Sequence, residues 1–449
     1  VDLRMSEVAA ATGGERHGDD VVVSGATIDS RAVRSGQLFV PIVAERDGHD
    51  YVAAALAAGA GGFLADRALP DADGPSVRVD DTSAALAALG RHARDRLGRG
   101  DDGGGGGGGG AGTGAHVVGV TGSVGKTSVK DLLAAALGAR WRTSASVRSF
   151  NNELGVPLTL LEAPEGTEAL VVEMGARNRG HVKYLCDLAL PTVGVVTRVA
   201  AVHTEVFGTI DDVAVAKGEL VEALPATGTA VLNAADPRVA AMATRTAARV
   251  LTYGDGGEVH AEDVTLDDDL RGRFRLRSPW GDAEVHLGVR GRHMVDNALA
   301  AAAAALACDV PLDALPAALG AATLSPWRME VVRLGSGAVL VNDAYNANPT
   351  SMAAALHSLA TLPAERRVAV LGVMAELGAG SDDEHVAIGD LARELGIEVV
   401  AVGVPAYGGT LVPDVEAAAA AVGSLGPGVA VLVKGSRVAA LERLASLLD

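Results

Sequence analysis

The chain has few of the features that mark secreted, membrane or nucleic-acid-binding proteins. It has only two cysteines, Cys186 and Cys308, among 449 residues, which are too few for a disulfide framework. Its 38 basic and 56 acidic residues give a net charge of −18, which disfavours a surface for nucleic acid or anionic lipid. Residues 1–14 lack the basic and apolar regions of a secretory signal. We therefore expect a cytoplasmic protein that holds any anionic ligand with dedicated local donors.

Long apolar runs are also missing. The longest one in the alanine-rich region, Ala298–Cys308, is far shorter than the roughly 20 residues that cross a bilayer, and we interpret it as part of a buried helix. We expect no membrane span and no nucleic-acid partner. We also expect the protein to be a monomer.

Composition suggests the domain boundaries. The chain is long for one hydrophobic core, and we expect three domains. The eight glycines 103–110 cannot bury apolar surface, so residues 99–114 are predicted to be a linker after an N-terminal α/β domain, residues 1–98. Beyond it, apolar strands alternate with helical stretches in two series, 115–322 and 323–449, which indicates two further α/β domains with parallel sheets. A helix is predicted over 293–307, and the clearest predicted strands are 117–120, 170–174, 192–197, 229–233, 339–345, 367–373, 398–402 and 429–434.

The most specific motif is the segment Val117–Lys130, which joins a short apolar strand to a glycine-rich turn and an amphipathic helix. Gly122 and Gly125 let backbone N–H groups turn toward a phosphate. Lys126 can then reach the β- and γ-phosphates of a nucleotide, and the Thr127 hydroxyl can ligate Mg²⁺. The segment departs from the general motif G-x-x-x-x-G-K-[ST] at its first glycine, but it still predicts a phosphate-binding loop.

Three further residues stand where ligand-binding groups occur in parallel α/β sheets. Glu173 ends an apolar strand, and the carboxyl ends of such strands meet at the edge where ligands bind. A solvated strand end is the alternative. His203 follows another apolar strand, and Lys217 lies on the helix after it. A lone histidine is more often structural than a metal ligand, so these residues alone leave both interpretations open.

In combination, these residues resemble the Mur ligases of peptidoglycan synthesis. That family shares the form T-G-x-x-G-K-[ST], here Thr121–Thr127, which has no glycine at the position of Val120. The motif is followed in both by Glu-x-Gly, a histidine and Ala-Lys, and further matching segments are 293–297, 328–330 and 343–349. Within the family, the chain is most similar to members that act on a UDP-N-acetylmuramoyl-tripeptide and D-alanyl-D-alanine, because of segments 151–158, 345–352 and 374–378. The resemblance covers essentially the whole chain except the glycine run.

The resemblance implies a three-domain α/β fold with a nucleotide site. The fold would comprise a small N-terminal α/β domain that binds the UDP substrate, a central P-loop ATPase-type domain with a parallel sheet, and a Rossmann-like C-terminal domain that binds the dipeptide and closes on ATP. The residues implied to contact ATP are Gly122, Ser123, Gly125, Lys126, Thr127, Ser128, Asn297, Arg328 and Asp343. The residues implied to hold Mg²⁺ are Thr127, Glu173, His203 and Lys217, the last as a carbamate. The implied catalytic residues are Lys126, Lys217, His203 and Glu173.

The resemblance also implies which residues contact the other two substrates. Those for the uridine nucleotide are Ser30, Arg31, Asp47 and His49. Those for the muramoyl tripeptide are Asn151 and Asn152. Those for D-alanyl-D-alanine are Tyr345, Asn346, Asn348 and Glu376. A helix-cap or turn role is the alternative for the C-terminal residues, because Asn and Asp favour turns.

The implied activity is ATP-driven formation of an amide from a carboxylate and an amine, through an acyl phosphate. A ligase that adds the third peptide residue and a folylpolyglutamate-type ligase are alternatives. A diaminopimelate-adding ligase would carry Asp-Asn-Pro-Arg in its last domain, whereas this chain has only Ala235–Arg238, in its middle domain. A P-loop nucleotide switch or kinase is a further alternative, but the chain has no Asn-Lys-x-Asp motif and no plain Walker-B aspartate. Whether the acceptor peptide ends in diaminopimelate or lysine stays open.

Overall fold

The computed structural model describes residues 1–70, 72–98, 114–147, 149–200 and 207–448. These residues form three α/β domains, as predicted, with mostly parallel sheets. The predicted linker lies outside the described residues except for Gly114, and so does His203.

The N-terminal domain is a small mixed sheet with three helices. Strands β4, β5, β6 and β7 are adjacent in that order and parallel to one another, and β2 pairs antiparallel with β7 at the edge. Strands β1 and β3 form a separate antiparallel pair. Its strands are β1 (Asp2–Arg4), β2 (Glu15–His17), β3 (Val22–Ser24), β4 (Ala26–Thr27), β5 (Leu38–Phe39), β6 (Gly62–Ala65) and β7 (Ser76–Arg78). Its helices are α1 (Met5–Thr12), α2 (Val52–Ala57) and α3 (Thr82–Arg96), with a 3₁₀ turn at Gly48–Tyr51.

The central domain is built on a parallel six-stranded sheet in the order β13-β12-β11-β8-β10-β9. Its strands are β8 (His116–Thr121), β9 (Thr143–Ala145), β10 (Ala169–Glu173), β11 (Val193–Val196), β12 (Thr229–Asn233) and β13 (Arg249–Tyr253). Its helices are α4 (Lys126–Gly138), α5 (Gly155–Glu162), α6 (His181–Ala189), α7 (Ile210–Glu222), α8 (Pro237–Ala240), α9 (His293–Ala307) and α10 (Leu315–Ala321), with 3₁₀ turns at Ala241–Arg245 and Leu312–Ala314. The central strands β8, β10 and β11 are mostly apolar and buried, as expected for a sheet that helices cover on both faces.

The alanine-rich helix α9 is buried, as predicted, and packs against α4 and the sheet. Among the described residues, no helix is both long and apolar enough to cross a bilayer. The antiparallel sheet that precedes α9 was not predicted from the sequence. Its strands are β14 (His260–Leu266), β15 (Arg271–Ser278) and β16 (Gly281–Arg290).

The C-terminal domain is a second six-stranded sheet, in the order β17-β18-β22-β19-β20-β21, with only the edge strand β17 antiparallel. Its strands are β17 (Glu330–Arg333), β18 (Val339–Asn342), β19 (Arg366–Leu371), β20 (Glu398–Val402), β21 (Thr410–Val412) and β22 (Val429–Lys434). Its helices are α11 (Pro349–Thr361), α12 (Ser381–Glu394), α13 (Val415–Val422) and α14 (Leu444–Leu448). Its 3₁₀ turns are Gly378–Gly380, Pro405–Tyr407, Arg437–Ala439 and Leu441–Arg443.

The N-terminal domain packs directly on the central domain. Helix α3 contacts α5, and apolar residues of both domains form one continuous core. Gly90 permits the close approach, because a Cβ atom there would lie 2.8 Å from Pro157 Cα. Glu162 at the end of α5 accepts hydrogen bonds from the Ala26 backbone N–H at 3.0 Å and from Gln37 Nε2 at 2.8 Å. Apolar packing and polar contacts therefore both join the two domains.

The two ends of the segment 99–113 lie side by side. A Cβ atom on Gly98 would be 2.7 Å from the backbone nitrogen of Ala115. The Gly98 N–H donates to Thr167 O at 3.0 Å, and the His116 N–H donates to Glu168 O at 2.8 Å. The chain therefore enters and leaves this segment at almost the same point on the central domain.

Candidate active site

The loop between β8 and α4 has the backbone geometry of a phosphate-binding loop. Gly122 has φ +144° and Gly125 has φ +89°, a region of φ that favours glycine. A Cβ atom on Gly122 would also collide with the Thr197 hydroxyl, so no larger residue fits there. Gly125 immediately precedes α4, and the first N–H groups of that helix, with its positive dipole end, are available to an anion.

Lys126 and Thr127 open α4 beside this loop. Lys126 Nζ donates to Gly122 O at 2.7 Å, and burial lowers the pKa of its amine while the charge of Glu173 opposes that shift. The Thr127 hydroxyl donates to Glu173 Oε2 at 2.7 Å. The loop, its lysine and the strand-end carboxylate therefore form one connected group.

Glu173 is held rigidly at the carboxyl end of β10. Its side chain is buried, and its second oxygen, Oε1, accepts a hydrogen bond of 2.8 Å from Asn151 Nδ2. Its backbone N–H donates to the Ser146 hydroxyl at 3.1 Å. Both carboxylate oxygens are thus oriented by hydrogen bonds, Oε2 by Thr127 and Oε1 by Asn151.

Lys217 lies on α7 and is almost fully buried, with 2% of its surface exposed. Within the described ranges it has no hydrogen-bond or ion-pair partner. Burial lowers the pKa of its amine well below the usual value, and the positive charge of Lys126 adds to that effect. Burial therefore disfavours the charged form of this amine.

The C-terminal domain contributes Arg328 to the same site. Arg328 stands between Trp327 and Met329, which have φ +61° and +48°, a strained conformation for non-glycine residues that is often found at functional sites. Its guanidinium lies 4.2 Å from the centre of the Tyr345 ring, and the Tyr345 hydroxyl donates to Ser149 Oγ at 2.6 Å. The hydrogen bond from Tyr345 to Ser149 joins the C-terminal domain to the segment of the central domain between β9 and α5.

Asp343 and Lys434 form a buried ion pair behind this contact. Lys434 Nζ donates to Asp343 Oδ2 at 2.5 Å and to Asn346 O at 3.0 Å, while Asp343 Oδ1 accepts from the Met329 N–H at 3.1 Å. Asn348 caps α11 by accepting from Ser351 N at 2.9 Å. The turn and cap roles considered for this segment are thus present in the same loop that faces the cavity.

One cavity of about 1010 Å³ connects these groups. It includes residues from the central and C-terminal domains, together with Ile28 of the N-terminal domain. The predicted site residues that line it are Gly122, Ser123, Gly125, Lys126, Thr127, Ser128, Asn151, Asn152, Glu173, Lys217, Asn297, Arg328, Asp343, Tyr345, Asn346, Asn348 and Glu376.

The residues predicted for the uridine nucleotide do not line this cavity. Arg31 is exposed and pairs with Asp29 at 2.9 Å, next to Ser30. His49 is buried and its Nδ1 lies 2.7 Å from Asp47. The pKa of Asp47 is lowered by hydrogen bonds from the His49 backbone and ring and from an arginine. Their role with a ligand stays a prediction.

Several cavity residues were missed by the sequence analysis, namely Arg177, Arg198, Lys434, Ser436 and Arg437. Lys434 ends β22, so the strand-end argument that singled out Glu173 could also have found it. The Arg198 carbonyl accepts from the Ser123 N–H at 2.7 Å. Arg177 lies in a loop and Arg437 begins a 3₁₀ turn, so neither residue ends a strand and the strand-end argument does not apply to them.

The fold and this cavity define a P-loop nucleotide-binding protein of three α/β domains, in which the last domain completes the site. Residues 120–305 match the family model of the Mur ligase middle domain, and residues 327–437 match that of the Mur ligase, glutamate ligase domain. The chain is 40% identical over 431 residues to the UDP-N-acetylmuramoyl-tripeptide--D-alanyl-D-alanine ligase of Mycobacterium tuberculosis (strain H37Rv), which covers 88% of this chain and 82% of that protein.

Solved structures agree with this match. The crystal structure of MurF from Acinetobacter baumannii aligns with a TM-score of 0.86 at 29% identity, covering 100% of this chain and 99% of that one. The MurF ligase from Thermotoga maritima in complex with ADP aligns with a TM-score of 0.79 at 26% identity, covering 95% and 97%. The chain belongs to the Mur ligase family.

Proposed function

We propose that the protein is an ATP-dependent ligase that joins D-alanyl-D-alanine to the terminal carboxylate of a UDP-N-acetylmuramoyl-tripeptide, for peptidoglycan precursor synthesis. The observation that carries the proposal is that the phosphate-binding loop and the loop 343–348 of the C-terminal domain line one cavity. A ligase must hold an activated carboxylate and an amine in the same space, whereas a nucleotide switch needs only the first loop. The activities for which the relatives are named support the same assignment.

The proposed chemistry begins with activation of the carboxylate. An oxygen of the tripeptide's terminal carboxylate attacks the γ-phosphorus of ATP, the bond to the bridging oxygen breaks, and ADP leaves, which gives an acyl phosphate. Lys126, on the phosphate-binding loop, neutralises charge on the phosphoryl oxygens during this transfer. The neutral amine of the dipeptide then attacks the acyl carbon, and the tetrahedral oxyanion collapses and breaks the C–O bond to phosphate. The nitrogen loses one proton, which leaves with the phosphate or to solvent.

The donors around Glu173 fit Mg²⁺. This ion prefers oxygen ligands, of which one or two come from carboxylates and the others from phosphates and water. Glu173 and Thr127 offer a carboxylate and a hydroxyl in direct contact, and Asn151 fixes the orientation of the carboxylate. We assign both residues to Mg²⁺, together with His203 from the sequence resemblance. When bound, the ion supplies positive charge to the phosphates.

Lys217 is proposed to act as a carbamate. Its buried amine, with its lowered pKa, favours the neutral form whose lone pair adds to the carbon of CO₂. An N–C bond forms, one C=O π bond of CO₂ opens and a proton leaves the nitrogen, so the neutral amine becomes an anion with two oxygens. These oxygens could ligate Mg²⁺.

The remaining site residues are assigned by domain. Asn297 is proposed to contact the adenine. Its side chain lies beside the phosphate-binding loop, because a Cβ atom built on Gly125 would be 2.7 Å from Asn297 Oδ1. The residues proposed for the phosphates and ribose are Ser123, Ser128, Arg328 and Asp343. Those for the muramoyl tripeptide are Asn151 and Asn152, and those for the uridine nucleotide are Ser30, Arg31, Asp47 and His49. Those for the dipeptide are Tyr345, Asn346, Asn348 and Glu376.

The reaction is proposed to run in the cytoplasm and in a monomer. ATP is the cytoplasmic phosphoryl donor, and a single chain supplies both the phosphate-binding loop and the wall that faces it. Size-exclusion chromatography with light scattering is expected to give the mass of one chain, 45.2 kDa. A mass twice as large would contradict the monomer.

Phosphate release from ATP, with the amine partner varied, tests the proposed activity. Release is expected only when ATP, the UDP-linked tripeptide and D-alanyl-D-alanine are all present, and D-glutamate, L-glutamate and diaminopimelate should be poor substitutes. Rapid ATP hydrolysis by the protein alone would instead indicate a nucleotide switch. Efficient use of diaminopimelate or L-glutamate would move the protein to another branch of the family.

A further inference from the structure

The C-terminal side of the cavity ends in a tightly packed segment that follows β22. A Cβ atom on Gly435 would lie 3.1 Å from Gly372 Cα, so two loops touch here backbone to backbone. The Ser436 N–H donates to Val373 O at 2.8 Å, and the Ser436 hydroxyl accepts from the Ala375 N–H at 3.0 Å. The backbone that precedes Arg437 is therefore fixed relative to the loop that carries Glu376.

Arg437 extends from this fixed backbone with a side chain that is 54% exposed. Its guanidinium carbon lies 4.5 Å from the centre of the Trp327 ring. Among the residues that the structure describes, its one ion-pair partner is Glu442, which contacts Nη1. A guanidinium has five N–H donors, so stacking on an aromatic ring and one carboxylate contact leave donors for a second carboxylate.

The other two cations of the C-terminal domain that line the cavity are less available to a dipeptide. Arg328 is only partly exposed and lies at the phosphate-binding loop, where it donates to Thr127 and is assigned to the phosphates of ATP. Lys434 is 2% exposed and paired with Asp343. In the described part of the C-terminal domain, Arg437 is therefore the cavity cation with an accessible charged group and spare donors.

We propose that Arg437 binds the terminal carboxylate of the incoming dipeptide and thereby sets the length of the amine substrate. The inference rests on the proposed function, which makes this substrate a dipeptide with a free amine and a free carboxylate. Two residues span at most about 7 Å and one residue about 3.5 Å. Attack on an acyl carbon requires the amine at about 3–3.5 Å. If the guanidinium holds a dipeptide with its amine at the acyl carbon, a single amino acid held in the same way stops about one residue short of that carbon.

The test compares two amine substrates that differ only in charge at the carboxyl end, D-alanyl-D-alanine and D-alanyl-D-alaninamide. Values of kcat/KM are measured at saturating ATP and UDP-linked tripeptide. The wild-type enzyme should prefer the free carboxylate by about 10- to 150-fold, the range expected for hydrogen bonds to a charged group. Arg437→Gln should lower kcat/KM for D-alanyl-D-alanine by a similar factor and leave the value for the amide within about threefold.

Two further variants complete the design. Arg437→Lys, which keeps the charge but loses the planar fork, should retain part of the preference. Arg443→Gln is the matched control, because Arg443 pairs with Glu416 and does not line the cavity, and it should behave as wild type. If Arg437→Gln fails to fold, the amide comparison in the wild type and in Arg437→Lys still decides the question.

Three results would overturn the inference. One is a wild-type enzyme that uses the amide as well as the free dipeptide. Another is an Arg437→Gln variant that loses the same factor on both substrates, which would mark a structural role. The third is a wild-type enzyme that does not ligate D-alanyl-D-alanine at all, and this alone would also reject the proposed function.

Discussion

Arg328 Nη2 donates a hydrogen bond of 2.8 Å to the hydroxyl oxygen of Thr127, a residue 201 positions earlier in the chain. The same hydroxyl donates to Glu173. One side chain of the C-terminal domain thus reaches the group of the central domain that is assigned to phosphate and Mg²⁺. A nucleotide bound at the loop would therefore meet cations from both domains.

Arg328→Ala is expected to lower kcat by about 100- to 1,000-fold, the scale on which removal of one transition-state donor is felt. The KM for ATP should change less than tenfold, because the loop and Lys126 still hold the phosphates. Arg333→Ala is the control, since Arg333 also joins the two domains, through an exposed ion pair with Asp269 at 3.0 Å. It should stay within about twofold of wild type. An Arg328→Ala enzyme with more than a tenth of the wild-type kcat would contradict the assignment.

Lys126→Ala should abolish turnover and leave the fold intact. The lysine is needed chiefly while the phosphoryl group transfers, and its only hydrogen bonds among the described residues are to carbonyls of its own loop. Steady-state kinetics and circular dichroism check the two parts. Lys183→Ala, which removes an exposed lysine paired with Asp187, serves as the control. Retention of more than about a tenth of kcat, a loss below 1.4 kcal/mol, would remove Lys126 from the site.

Lys217→Ala should lose activity by at least about tenfold, the scale on which loss of a group that orients a metal is felt. Formate should partly restore turnover by placing oxygen atoms where the carbamate had been, whereas it should not activate Lys126→Ala. The measurement is kcat as a function of formate concentration at fixed pH. A fully active Lys217→Ala enzyme would exclude the carbamate.

The same lysine should also cost stability when it is not carbamylated. The pKa of the Lys217 amine is lower in the folded state than in the unfolded chain, so the unfolded state binds more protons at neutral pH. This difference lowers the free energy of unfolding. The loss of stability becomes smaller as pH rises toward 10.5, the ordinary pKa of lysine. In CO₂-free buffer, Lys217→Met should have a higher Tm than wild type at pH 7, by about 2–4 °C for each kcal/mol. The difference should shrink by pH 9.5. A Tm difference between Lys217→Met and wild type that grows with pH would contradict a lowered pKa for the Lys217 amine.

Deletion of the glycines 103–110 should leave kcat and every KM within about twofold of wild type. The ends of the segment 99–113 lie side by side, so a shorter connection still closes. Halving a loop changes its closure free energy by only about 0.6 kcal/mol. Insertion of eight more glycines should be equally tolerated. A tenfold rise in the KM for ATP would instead indicate that the glycines contact the nucleotide.

Local sequence patterns predicted the central elements well. Strands 229–233, 398–402 and 429–434 and the helix 293–307 have the predicted bounds, because each is built around an apolar run with polar residues near its ends. The sheet β14–β16 was not predicted. Arg273 and Arg275 alternate there with buried residues, and the pairing of its strands depends on partners that no local pattern specifies.

The residues of the candidate site likewise fall into those that the sequence could identify and those that it could not. Residues of contiguous motifs, such as Lys126 and Thr127, could be identified because the loop is built from neighbours in sequence. Arg437 and Arg177 could not, because they reach the cavity only through packing between loops. The packing of the N-terminal domain on the central domain could not be predicted from local sequence either, because the contact residues Ala26 and Glu162 are 136 positions apart.

The meeting of Gly98 and Ala115 has a consequence for a severed chain. Cleavage between these residues would break the covalent connection without separating the pieces, because the shared core, Glu162 and the hydrogen bond from Arg94 to Ala189 O still hold them. The two fragments would therefore migrate together under native conditions and separate only in denaturant.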